Sequence, residues 1–123
     1  MDKKIFLCDS NRPVLDALEM VLSLTKAIIL SESNSSKVID QILQEKPDIF
    51  VCELEIPGLG GERLIRGIRQ YSEYNKLFII CISTSERGKT IATNAGADYF
   101  LSKPFDLQEL LSVVNKVLAT EGR

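Results

Sequence analysis

Five short apolar runs alternate with five amphipathic segments along the chain of 123 residues. The runs at 4–8, 27–30, 48–52, 77–82 and 99–101 are the expected strands. Several are almost continuously apolar, as central parallel strands covered on both faces should be. Between them, Val14, Leu15, Leu18, Val21 and Leu22 repeat with helical spacing, and Pro13 is acceptable in a first turn. Val38, Ile39, Ile42 and Leu43 mark a second helix, entered through the cap-rich Ser33-Asn34-Ser35-Ser36 and closed before Pro47. Leu64, Ile65 and Ile68 define a third, and a weaker fourth spans 89–95 and stops at Gly96. The fifth starts at Asp106, with Glu109 three residues on as in a capping box. It buries Leu110, Leu111, Val114, Val117 and Leu118.

With right-handed crossovers this alternation predicts one α/β domain over residues 1–123. The sheet is doubly wound, helices cover both faces, and a cleft opens at the strands' C-terminal ends. No linker, repeat or low-complexity stretch interrupts it, and residues 119–123 read equally as a terminus or as the start of a linker. The chain is 45% apolar and 26% charged, the balance of an ordinary soluble domain. A net charge of −2 provides no broad basic surface, so no direct nucleic-acid binding is expected. No apolar run is long enough for a membrane span, and Met1-Asp2-Lys3-Lys4 lacks a signal-peptide core, which points to the cytoplasm.

Cys8, Cys52 and Cys81 each fall within an expected buried strand, without CxxC spacing, and read as buried reduced thiols. The chain has no histidine, which excludes Ser–His and Cys–His catalysis inside it.

Chemistry gathers at the strand ends. The first strand is followed by Asp9, Ser10 and Asn11, and the third by Glu53, with Glu55 and a Pro57-Gly58 turn beyond it. The fourth is followed by Ser83 and Thr84, the fifth by Lys103-Pro104. Polar residues after strands are common in loops, so each alone says little. Two carboxylates, a hydroxyl and an ammonium from four ends of one parallel sheet say much more.

These segments resemble the receiver domain of bacterial two-component response regulators, across essentially the whole chain. The resemblance rests on Ile5-Phe6-Leu7-Cys8-Asp9-Ser10-Asn11, Pro47-Asp48-Ile49-Phe50-Val51-Cys52-Glu53 with Pro57-Gly58, Cys81-Ile82-Ser83, and Gly96-Ala97-Asp98-Tyr99-Phe100-Leu101-Ser102-Lys103-Pro104-Phe105. It implies a flavodoxin-like (βα)5 sandwich with sheet order 2-1-3-4-5. In that family an acidic pair holds Mg²⁺ and an Asp after the third strand takes a phosphoryl group from a histidine kinase. A Ser/Thr and a Lys bind the phosphoryl oxygens, and an aromatic on the fifth strand rotates to report the change. By position, Asp9 matches the first acid, Ser83 the hydroxyl, Lys103 the lysine and Phe100 the switch aromatic. Pro104 matches a cis proline.

Two positions depart from the pattern. Ser10 stands where a second acid is expected, and Glu53 stands at the phosphoacceptor position. Losing an acid weakens a Mg²⁺ site, since that ion binds through one or two well-placed carboxylates. Asp9, Glu53 and Glu55 remain as a weak Mg²⁺ set, and no other cofactor is expected. Glu places its carboxylate about one C–C bond, ~1.5 Å, farther into the cleft than Asp. A misplacement of about 1 Å already costs on the order of a hundredfold in rate. Phosphorylation at Glu53 is therefore not expected.

The same length lets Lys103 and Ser83 engage Glu53 directly, as a partial imitation of a phosphorylated state. Whether that yields an active-like or an inactive-like form is left open. Without phosphoryl transfer the chain acts by binding another protein, through the face of the fourth helix, fifth strand and fifth helix, where Phe100 and Val113 lie. A histidine kinase is a further contact but not a phosphoryl donor. No substrate turnover is expected.

A conventional phosphorylated receiver is the first alternative. An Asp-nucleophile phosphatase built on Asp9 is remote, because Asn11 replaces its second Asp. A flavin-binding fold is remote as well, because Ser10-Asn11-Arg12-Pro13 has no glycine. Arg63, Arg66 and Arg69, with Lys46 and Lys76, read as solvated charges.

Overall fold

The structure, a computed structural model, describes residues 2–74 and 76–120. The order of elements is β1 (Lys4–Cys8), α1 (Arg12–Leu22), β2 (Ile28–Ser31), α2 (Val38–Glu45), β3 (Ile49–Glu53), α3 (Gly61–Arg69), β4 (Phe78–Ser83), α4 (Gly88–Ala95), β5 (Tyr99–Ser102) and α5 (Leu107–Ala119). The five strands are parallel in the order β2-β1-β3-β4-β5, so the expected doubly wound sheet is the one found. Among the described residues no helix is long and apolar enough to cross a membrane.

Alternate side chains of each central strand feed two cores, as a period of two requires. Phe6, Cys8, Phe50, Cys52, Ile79 and Cys81 point to one face and pack with α2, α3 and α4, through residues such as Ile42, Leu64, Ile65, Ile68 and Ala92. Ile5, Leu7, Ile49, Val51, Ile80 and Ile82 point to the other face, against Leu15, Leu18 and Leu22 of α1 and Leu110 and Val114 of α5. Cys8, Cys52 and Cys81 are register partners on three adjacent strands, all buried and free. Burial pushes the Cys81 thiol up to about 12. Contact with Cys8 and burial raise Cys52 as well.

Strand limits shift by a residue from the sequence reading: β2, β3 and β4 each start and end one later, and β5 runs on to Ser102. The consequence is at the C-terminal ends, where Glu53 and Ser83 are the last strand residues and inherit the strands' rigidity.

At α5, Asp106 does cap the helix, but its carboxylate accepts the N–H of Gln108 at 2.8 Å. Glu109 does not close a capping box; its carboxylate is taken by the Tyr99 hydroxyl. Val113 is half-buried against the α1/α5 core, and Leu111, expected inside, is half-buried rather than buried. Phe100 belongs to the opposite core, so Phe100 and Val113 turn to opposite faces of the sheet.

The largest correction is Arg69. Its Nε donates to the Gly96 carbonyl at 2.9 Å, and its Nη1 to the carbonyls of Tyr74 at 2.7 Å and Leu77 at 2.9 Å. Its Nη2 meets Asp98 Oδ2 at 2.8 Å, and the same oxygen accepts the Ile79 N–H at 2.8 Å. This side chain is a staple tying α3 to the N-terminal ends of β4 and β5, not a solvated charge. Arg66 does match the sequence expectation, as an exposed i,i+4 partner of Glu62.

Candidate functional site

Register places the site. Cys8 and Cys52 are partners, so the next residues, Asp9 and Glu53, emerge side by side from adjacent strands. Glu53 is partnered by Ile82, which puts Ser83 one residue beyond it. Ser83 pairs with Ser102, and the Lys103 N–H donates to the Ser83 carbonyl at 2.9 Å, delivering the lysine to the same cleft. The Lys103–Pro104 bond is cis.

One ammonium is shared between two acids. Lys103 Nζ lies 3.4 Å from Asp9 Oδ2 and 3.3 Å from Glu53 Oε2. Ser10 closes the other side of Glu53: its N–H, at 3.2 Å, and its hydroxyl, at 2.9 Å, both donate to Oε1. The buried Asp9 accepts the Asn11 N–H on Oδ1 at 2.9 Å. Asn11 itself caps α1 by accepting the Val14 N–H at 3.2 Å, so the helix start and the acid's support are one structure. Glu55 turns away from this group and accepts the Ser83 hydroxyl.

The two neighbouring acids are driven apart in acidity. Burial raises Asp9, the Asn11 N–H opposes it, and the Glu53 charge adds to the rise; the net effect is upward. Burial also acts to raise Glu53. The two Ser10 donors and Lys103 outweigh it, and Glu53 is held below its ordinary value. Glu53 is the site's settled anion.

Asp9, Ser10, Glu53, Glu55, Ser83 and Lys103 are thus brought together, but their pairing differs from the expected one. Lys103 does engage Glu53. Ser83 does not: it sits on Glu55, and Ser10 supplies the hydroxyl to Glu53 instead. The longer Glu side chain reaches back over the end of β1, where Ser10 offers two donors and Ser83 offers none. Phe100 is half-buried with its ring turned inward. A Cβ placed on Gly88, at the start of α4, would come within 2.9 Å of the ring and 3.0 Å of Ser83 Cβ.

Ser35 and Gly61 support the site in ways that the sequence reading does not assign to them. Ser35, buried, donates to the Pro57 carbonyl at 2.8 Å and accepts the Leu59 N–H at 2.9 Å, latching the turn that follows Glu55. Gly58 in that turn has a φ of 88°, and a Cβ there would strike the Ser35 hydroxyl. A Cβ on Gly61 would come within 2.7 Å of the Glu53 carbonyl and of Leu54 Cα, so only glycine lets α3 start this close to the end of β3. The Pro57-Gly58 pair was the single signal pointing to this turn.

The residues do not fit a hard divalent cation. Mg²⁺ needs near-octahedral oxygen ligands with free lone pairs. Lys103 stands between Asp9 and Glu53, and Glu55 is committed to Ser83, so the three carboxylates face separate donors rather than one shared cation position. Among the described residues no group of three or more His, Cys, Asp or Glu side chains is placed to hold a metal ion. The weak Mg²⁺ set expected at Asp9, Glu53 and Glu55 is not assembled.

The chain belongs to the response regulator receiver domain family, whose profile matches residues 5–115. Its fold superposes with a TM-score of 0.90 on a protein crystallised as a response regulator from Chloroflexus aurantiacus J-10-fl. The two are 27% identical over 98% of this chain and 100% of that one. The chemotaxis response regulator CheY4 of Vibrio cholerae superposes at 0.86 with 18% identity, over 95% of this chain and 99% of its own. The receiver domain of a DNA-binding response regulator from Colwellia psychrerythraea 34H superposes at 0.89 with 18% identity, over 97% and 100%. At those lower identities the likeness concerns the fold.

Proposed function

We propose that this receiver domain signals by contact with another protein, in a form set by its own Glu53 rather than by a phosphoryl group. The observation that carries this reading is the pairing of Lys103 Nζ with Glu53 Oε2 at 3.3 Å while Ser10 holds Oε1 with two donors. A side-chain anion already sits on the lysine that, by resemblance, would receive phosphoryl oxygens. The imitation is half complete, because Ser83 is bound to Glu55 and does not join.

Phosphoryl transfer depends on an in-line approach and on charge neutralisation. Both oxygens of the Glu53 carboxylate are already drawn to donors, which turns it away from an in-line approach, and among the described residues no metal-ligating group stands ready to neutralise an incoming phosphate. The domain therefore turns over no substrate and acts in the cytoplasm as a protein-binding module. Its partner contacts the surface of α4, β5 and α5, where the Phe100 ring lies against the first turn of α4.

The test exposes the purified chain to a small-molecule phosphodonor with Mg²⁺ and follows intact mass. No phosphoryl adduct is expected on the wild type. An acyl-phosphate mapped to Glu53 would overturn the reading and make this a conventional phosphorylated receiver.

A further inference from the structure

Resting on that reading but going past it, we propose that Ser10 is a specificity-determining residue: it makes the pocket hold Glu53 in place of a divalent cation. Charge and lone pairs at this single position decide the outcome.

Ser10 presents two donors to Glu53 Oε1, a backbone N–H at 3.2 Å and a hydroxyl at 2.9 Å. An acid at position 10 keeps the N–H but replaces the hydroxyl by an anion, facing Glu53 across a hydrogen-bond distance and standing next to the buried Asp9. Three carboxylates then crowd one ammonium, since Lys103 already serves Asp9 and Glu53 at 3.4 and 3.3 Å. Like charges this close cannot all stay ionised and unshielded. The arrangement either takes up protons or takes up a cation.

With serine present the balance is opposite. Two acids share Lys103, Oε1 is filled by Ser10, and Asp9 Oδ1 is filled by the Asn11 N–H. The carboxylates of the pocket are turned to their own donors, Lys103, Ser10 and Asn11, rather than to one shared cation position. Ser10 and Glu53 are one device: the hydroxyl at position 10 makes room for the long carboxylate at 53, and that carboxylate occupies the lysine.

The experiment compares wild type, Ser10→Ala, Ser10→Asp and the double variant Ser10→Asp with Glu53→Asp. Each is followed by thermal unfolding with and without millimolar Mg²⁺ and by paramagnetic broadening of amide signals near residue 10 on adding Mn²⁺. Wild type and Ser10→Ala respond to neither ion; Ser10→Ala lowers the folding equilibrium constant about fivefold through the lost hydroxyl. Ser10→Asp is less stable than wild type without the ion and gains at least about tenfold in cation affinity.

If Ser10→Asp unfolds in the absence of cation, recovery on adding Mg²⁺ supports the proposal equally, and the double variant, with shorter side chains, shows the same gain. Wild type that binds Mg²⁺ at the pocket overturns the proposal. So do Ser10→Asp variants, single or double, that stay folded without gaining affinity or stay unfolded with Mg²⁺. These outcomes are separate from the phosphodonor result, which tests Glu53 as an acceptor whatever the cation does.

Discussion

Two charged networks sit at opposite ends of the same sheet, and they are built differently. At the N-terminal ends of β4 and β5, Arg69 commits its guanidinium to three backbone carbonyls and one carboxylate, all within 2.7–2.9 Å. At the C-terminal ends, Lys103 is divided between two carboxylates at 3.3 and 3.4 Å. The first network has a cation matched to fixed acceptors by a rigid fork. The second has a compact ammonium on a flexible stem, outnumbered by acids. Tight, fully matched hydrogen bonds make structure. Longer contacts with an excess of one sign leave a site that a proton, a cation or a changed side chain can rearrange.

The largest expected effect is at the tight end. Arg69→Met keeps most of the stem but abandons the Gly96, Tyr74 and Leu77 carbonyls and the Asp98 carboxylate. It should cost about 3 kcal/mol in urea denaturation. A loss below about 1 kcal/mol would show that solvent replaces these bonds freely and would erase the contrast.

Next comes the turn that supports the site. Gly61→Ala drives a methyl into the Glu53 carbonyl and Leu54 Cα and should cost about 2 kcal/mol. Backbone amide shifts are expected to spread through 53–61; a silent spectrum would mean that α3 simply slides.

Lys103→Met then probes the loose end. It should cost only about 1 kcal/mol, less than Arg69→Met, because Asp9 escapes the loss of its cation by taking a proton. Carboxyl-carbon titration should show the Asp9 value rising further. A cost equal to that of Arg69→Met would contradict the comparison.

The smallest effect is a pH dependence. The folded value of Glu53 lies below the unfolded one, so its charge adds stability above the ordinary glutamate range. That contribution is lost as pH falls through the folded value. Asp9 runs the other way: its raised folded value makes its ionisation cost stability as pH rises through that value, and acid returns it. Glu53→Gln removes the first contribution and, by removing a neighbouring charge, shrinks the second, which burial still sustains; the variant should lose less stability than wild type between neutral and acid pH. An unchanged acid limb in urea titrations at a series of pH values would show that Glu53 is not held by Ser10 and Lys103.

Much of this was legible in the residues. The period-two strands and the helical stripes follow from local spacing, and the ten elements appear where the apolar pattern puts them, within a residue or two at most ends. The cleft residues were legible as well, because residues at parallel strand ends must converge. The misses have one cause. Arg69 read as solvated because its acceptors are carbonyls, which every residue carries and no sequence marks. Ser35 read as one of several capping serines because its partners lie at 57 and 59, across the fold. Val113 read as part of a partner face but packs against the α1/α5 core, because the neighbours that cover each side of α5 are set by the fold.

The chain's order of residues therefore determined the sheet, the helices that cover it and the set of charges delivered to its C-terminal edge. Local periodicity and strand direction are properties of short segments and need no knowledge of the rest. Which donor meets which carboxylate was decided by the folded molecule alone. Ser10 rather than Ser83 holds Glu53, because a hydrogen bond is made or lost over a few tenths of an ångström, and only packing sets distances that finely.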